Sequence, residues 1–147
     1  MKIFLIFCLG IIFFYLRKAK IQNHLGEIAF KNGKYKIAEK HWLRASKKGL
    51  VEAQYNLGVF YNRYNELELA EKYWKLASEQ GSIEAQYNLG ILYGEQNKYD
   101  LAEKYLRLAK NKGIDISFWD IGEEFYEKGK NELGNICFKI AEESNEK

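Results

Sequence analysis

A Leu-Gly pair recurs at a fixed interval of 32 residues, at Leu25-Gly26, Leu57-Gly58 and Leu89-Gly90, and then as Ile121-Gly122. A period of this length is the signature of stacked helical repeats, in which each unit buries its apolar face against the next. The repetition goes beyond one dipeptide. Residues 51–82 read VEAQYNLGVFYNRYNELELAEKYWKLASEQGS and residues 83–114 read IEAQYNLGILYGEQNKYDLAEKYLRLAKNKGI, with EAQYNLG and LAEKY in register. The same register runs through Ala38, Trp42 and Ala45 before them, and through Phe125, Gly134, Phe138 and Ala141 after them. Four units therefore fill approximately residues 20–50, 51–82, 83–114 and 115–147.

Each unit reads as two helices. Ala53, Leu57, Val59, Phe60 and Tyr61 support a first helix, and Leu67, Ala70, Tyr73, Trp74 and Ala77 fall at the spacings of three and four that give a second helix one apolar face. Polar breaks at Tyr64-Asn65-Glu66, Gln96-Asn97 and Lys128-Gly129 separate the two, and such short connections force antiparallel neighbours. A glycine inside a helix costs about 1 kcal/mol relative to alanine. Gly26, Gly58, Gly90 and Gly122 therefore need a packing reason, and the expected partners are the small Ala38, Ala70, Ala102 and Gly134. Gly49, Gly81 and Gly113 follow the second helices, where a left-handed cap is wanted.

The string L-G-x-x-Y at Leu57 to Tyr61 and Leu89 to Tyr93, followed by Ala70 and Trp74, resembles the tetratricopeptide repeat. The link Ala77-Ser78-Glu79-Gln80-Gly81, followed by Glu84 to Gly90, resembles instead a Sel1-like repeat. The chain has no proline, where tetratricopeptide units often end in one, and its unit is shorter than the usual Sel1-like length. The choice between these sister families stays open. Either resemblance implies an all-α, right-handed α-solenoid of about four helix-turn-helix repeats, preceded here by an N-terminal apolar helix.

That preceding segment, Ile3 to Leu16 (IFLIFCLGIIFFYL), carries no charge and is flanked by Lys2, Arg17, Lys18 and Lys20. As a helix it spans roughly 21 Å, short of the roughly 30 Å hydrocarbon core, so the flanking residues must extend it. No small-x-small cleavage site follows, and Cys8 lacks the small preceding residue of a lipoprotein box. Residues 1–20 are therefore expected to be an uncleaved signal anchor, with a removed signal peptide or a buried capping helix as alternatives, and residues 21–147 the repeat domain. The basic flank favours repeats on the cytoplasmic side of the membrane over the periplasmic or extracellular side.

Residues 1–20 hold four of the 23 basic side chains and no acidic ones, leaving 19 basic against 20 acidic in the rest. A nearly neutral repeat region lacks the basic footprint that nucleic-acid binding requires. Catalytic and metal chemistry find little support, and no cofactor is expected. His24 and His41 lie in different helices, and the only cysteines are Cys8 and Cys137, too few for a zinc site or a disulfide framework. Glu123, Glu124 and Glu127 form an acidic cluster that reads as a solvated helix face or a contact for a basic partner.

The working surface implied by the resemblance is the concave face lined by first helices. Its positions are Asn23, Glu27, Tyr55, Val59, Tyr87, Ile91, Trp119 and Glu123. Tyr55, Tyr87 and Trp119 stand 32 residues apart and form either an aromatic ladder for a protein or peptide partner or braces between successive repeats. The lysine register of Lys40, Lys72 and Lys104 ends in Ile136, near Cys137 and Ile140, an apolar edge available for a homodimer. The expected protein is a non-enzymatic, membrane-tethered adaptor. The alternatives are a secreted or periplasmic repeat protein acting on an envelope or host target and, with scattered carboxylates alone behind it, an envelope hydrolase.

Overall fold

The computed structural model describes residues 2–144, with side chains from Gly10 onward. The described residues form eight helices: α1 (Lys2–Lys31), α2 (Tyr35–Ser46), α3 (Val51–Arg63), α4 (Leu67–Glu79), α5 (Ile83–Glu95), α6 (Tyr99–Asn111), α7 (Phe118–Glu127) and α8 (Asn131–Glu143). They divide into two compact units, Met1–Gln80 and Gly81–Lys147. In the first unit α1 pairs with α2, α2 with α3, and α3 with α4; in the second α5 pairs with α6, α7 with α8, and α6 with α8.

The turns inside each helical pair follow the repeat. Gly33, Asn65, Asn97 and Gly129 all adopt positive φ, between 59° and 72°, a left-handed conformation that glycine and asparagine tolerate best. The next residue closes the helix by donating its backbone N–H five residues back: Glu66 to the Tyr61 carbonyl at 2.9 Å, Lys98 to the Tyr93 carbonyl at 2.8 Å. This is the Schellman closure. Ser82 and Ser117 cap α5 and α7, each accepting a backbone N–H at 3.2 Å, from Ala85 and Asp120.

The cores are built from small and large residues in alternation. Ala38, Ala45, Ala53, Ala70, Ala77, Ala85, Ala102 and Ala109 are buried, interleaved with Trp42, Leu57, Trp74, Leu89 and Leu106. The mid-helix glycines have a different partner from the expected alanines. A Cβ at Gly26 would stand 2.6 Å from the Trp42 ring, at Gly90 2.6 Å from Leu106 Cγ, and at Gly122 2.6 Å from the Phe138 ring. Trp74 fills the same space at Gly58. The glycine thus makes room for the large side chain sixteen residues on, because that side chain lies directly across the helix pair. In the last pair the small-residue contact is also present, with Gly134 packed toward the Gly122 carbonyl.

Two expectations for the N-terminus are corrected. The apolar segment is not a separate helix before the repeats: nothing between Leu16 and Gln22 breaks a helix, so α1 runs unbroken from Lys2 through the first Leu-Gly pair to Lys31. Among the described residues no helix is long and apolar enough to cross a membrane, which overturns the expected single-pass membrane localisation. The cause is the early arrival of charge, since exposed Arg17, Lys18 and Lys20 follow only fourteen apolar positions. Part of that expectation, the side chains of residues 3–9 including Cys8, lies outside the described residues, as does the end of the last unit, residues 145–147.

Candidate functional site

In the first unit the predicted positions lie on α1 (Asn23, Glu27) and α3 (Tyr55, Val59). Asn23 lies one turn before Glu27, and its Nδ2 donates to Glu27 Oε1 at 2.8 Å. Asn56 Nδ2 on α3 donates to Asn23 Oδ1 at 3.1 Å, tying the two helices at their polar edge. Beside this chain of amides is a cleft of about 170 Å³, whose lining includes Glu27, Phe30, Lys31, Asn56 and Val59. Val59 is exposed although Gly58 and Phe60 on either side of it are buried, and Tyr55 is half-buried. The arrangement offers an apolar floor with an amide and carboxylate rim.

The second unit holds Tyr87, Ile91, Trp119 and Glu123. Tyr87 and Ile91 are half-buried on α5. Burial pushes the Tyr87 hydroxyl pKa up to about 12, with smaller contributions from Cys137 and Glu124, so this ring is turned toward its own unit. The Trp119 ring packs 4.9 Å from Phe138, and its indole N–H donates to Glu123 at 3.1 Å. Glu123 is exposed. In this unit, then, both members of the ladder are also packing residues.

The other sequence candidates resolve as follows. Glu124 pairs with Lys128, which accounts for one member of the acidic cluster as a helix-surface ion pair. His41 Nδ1 stands 2.8 Å from Gln22 Oε1 and His24 Nδ1 3.5 Å from Glu27. Among the described residues no three His, Cys, Asp or Glu side chains are grouped to hold a metal ion. The expected apolar edge on α8 is corrected: Ile140 and Cys137 are buried in the core, leaving Ile136 half-buried by itself. The reason is the packing of α8 against both α7 and α6, held on the α6 side by Lys139 pairing with Glu103 at 2.9 Å and by a two-pronged pair of Arg107 with Glu143. Those cations hold both carboxyls below their usual range, Lys139 first and then Arg107 at Glu103, and Arg107 at Glu143.

One feature was missed from the sequence. Phe30, Tyr35, Phe60 and Tyr64 form a connected aromatic edge, with centroid separations of 5.3 Å for Phe30–Tyr35, 4.8 Å for Phe60–Tyr64 and 6.1 Å for Tyr35–Tyr64. The Arg63 guanidinium lies 5.5 Å above the Phe30 ring, within cation–π range. A shallow cleft of about 590 Å³ opens beside Tyr35, Ile37 and Tyr64. Nearby, the Tyr61 hydroxyl donates to Glu39 at 2.7 Å; burial first, and that carboxylate second, raise its pKa. The available signal is that Tyr35 and Tyr64 flank the turns, although only Tyr64 enters the sequence reading, as part of a polar break.

No protein-family model and no curated protein matches this chain. Among solved structures it is similar to a protective antigen present in uropathogenic Escherichia coli strains, which displays an SLR (Sel1-like repeat) fold. The two are 26% identical with a TM-score of 0.63, over 87% of this chain and 31% of that one, so this chain spans less than a third of its neighbour's length. The eight helices of the described residues, the 32-residue Leu-Gly register and this structural match support a Sel1-like repeat fold for the chain.

Proposed function

We propose that this protein is a non-enzymatic interaction scaffold that holds a partner polypeptide on the face of its first helices expected to be concave. The observation that carries the reading is the α1–α3 cleft. Phe30, Val59 and Phe60 present an apolar floor and Glu27 and Asn56 a polar rim, while the neighbouring Leu57 is spent on the core. Repeat scaffolds keep their framework constant and vary such surface positions to choose a partner. In the second unit Glu123, steadied by the Trp119 indole, supplies a fixed carboxylate, and Ile91 and Tyr87 supply apolar area beside it. A partner suited to these groups is a segment with apolar side chains and at least one basic group.

The test is site-directed photocrosslinking in cells. A benzophenone amino acid at Val59 or Glu123 is expected to trap one protein, and the same probe at exposed Lys72 on the second helix α4 is expected not to. Tyr55→Ala/Tyr87→Ala/Trp119→Ala, checked for an unchanged helical spectrum, is expected to lose the crosslink. Equal capture from Val59 and Lys72, or full capture by a folded triple variant, would refute the assignment of this face.

A further inference from the structure

The repeat supplies its own comparison for the face of α1 that no described residue covers. Ile21, Leu25 and Ile28 stand at the register of Ala53, Leu57 and Phe60 on α3, each 32 residues later. On α3 these three are 0%, 0% and 7% exposed, and the second helix α2 packs along it with Trp42 6.0 Å from Phe60. On α1 they are 52%, 39% and 43% exposed. The same face is filled by a second-type helix in one place and open in the other.

The open face continues toward the N-terminus. Ile11, Phe14, Lys18, Ile21, Leu25 and Ile28 alternate at spacings of three and four, the pattern that puts side chains into the seam between two paired helices. A cleft of about 610 Å³ lies on it, lined by Phe13, Leu16, Ile21 and Leu25 together with Arg17 and Lys20. Its border is cationic: Arg17 and Lys20 line it beside His24, Lys18 is exposed in the same stripe, and the one acidic residue within residues 1–38, Glu27, is engaged by Asn23. Two copies joined through this face would bring these cations against one another. Apposing like charges is costly.

We propose that this face is a second docking surface, which takes an amphipathic helix of another protein with an apolar stripe bordered by carboxylates. It is the helix-in-groove mode of recognition, with the partner helix occupying on α1 the place that α2 occupies on α3. The apolar stripe provides the contact area, and Arg17, Lys18 and Lys20 select the sign of the partner's charge. This surface is separate from the first-helix cleft, and either can fail without the other.

The probe is a fluorescent, hydrocarbon-stapled peptide of residues 66–80, ELELAEKYWKLASEQ, a second-type helix with four acidic and two basic side chains. Stapling is needed because a free helix of this length is marginal in water. Saturable binding to the full chain is expected, weakened about tenfold or more by Ile21→Ser/Leu25→Ser/Ile28→Ser and separately by Arg17→Glu/Lys20→Glu. All five positions are exposed, so both variants should keep the wild-type circular dichroism. Replacing the peptide's four glutamates by glutamine, or raising salt from about 0.05 to 0.5 M, is expected to weaken binding as well. Absence of binding, or affinity unchanged in both variants, overturns the proposal. So does sedimentation showing a wild-type dimer that the triple variant abolishes, which would make a second copy the occupant. Flotation with anionic phospholipid vesicles, lost in the same variants while the peptide does not bind, overturns it in favour of a lipid surface.

Discussion

Gly90→Ala is a sharp test of how the helices are held apart. By intrinsic propensity the change should stabilise α5 by about 1 kcal/mol. The structure sets a larger opposing effect. The new methyl would stand 2.6 Å from Leu106 Cγ and 2.7 Å from its Cδ2, against an optimum near 3.5–4.0 Å. Leu106 is fully buried, and its backbone nitrogen lies only 3.1 Å away, so rotating the side chain gives no escape and α6 itself must move. Overpacking of this kind costs about 1–3 kcal/mol. With the close backbone placing it at the upper end, the net is a loss of about 1–2 kcal/mol once the propensity gain is subtracted. Urea denaturation of the full chain should show a lower midpoint with an unchanged slope. Gly10→Ala is the control, because nothing lies within 4 Å of a Cβ there; it should leave the midpoint unchanged or raise it. A second check is the double variant Gly90→Ala/Leu106→Ala, in which the added methyl fills part of the cavity and the two losses sum to less than additivity demands. A raised midpoint for Gly90→Ala would refute the reasoning, since it would mean that propensity outweighs the contact.

Trp74 is buried against Gly58, and its indole N–H meets no hydrogen-bond acceptor among the described residues. Trp74→Phe, which removes an unpaired polar group along with some area, is expected to cost under about 1.5 kcal/mol against about 3–5 for Trp74→Ala, both read from urea midpoints. The Arg107–Glu143–Glu103–Lys139 cluster predicts a pH dependence. Both carboxyls have folded-state pKa values below the unfolded ones, so their contribution is present above the normal carboxylate range, near pH 4.3, and is lost as pH falls through the lowered folded values. Arg107→Ala should therefore reduce Tm slightly at neutral pH and converge on the wild type in acid, the effect being small because the pairs are solvent-screened. A Tm difference that persists undiminished at low pH would assign the effect to lost packing by the arginine stem.

The architecture was legible because a 32-residue period constrains every helix at once. Even the turn signals obey it, with Gly33, Asn65, Asn97 and Gly129 sharing one left-handed conformation. What the period could not supply was direction across the helix pair. Alanine at twelve residues and tryptophan at sixteen are both on the apolar face, and periodicity cannot tell which of them stands over Gly58. The groove residues were legible as register positions only. Whether Tyr87 points to a partner or to Cys137, and whether Trp119 is free or packed on Phe138, depends on rotamers and on how α8 leans onto α6. The membrane reading failed for a different reason: the apolar run of residues 3–16 meets Arg17, Lys18 and Lys20 before it is long enough to cross.

Leu25 shows what a repeat adds to the reading of a surface. An exposed leucine taken singly means little, because much of any folded surface is apolar. Here the fold holds its own reference states. Leu57 and Leu89, at the same register, are fully buried, so the exposure of Leu25 is a departure from a rule that the chain itself sets. The C-terminal helix departs in the opposite direction: Ile140 and Cys137 turn inward, while Asn131, Glu132, Asn135, Lys139 and Glu142 face solvent. The exposed side of α8 is thus polar, whereas that of α1 carries Ile21, Leu25 and Ile28 with cations nearby. The asymmetry argues that the open face is adapted for an occupant with the complementary charge, since a face meant only for water would have been made polar as α8 is.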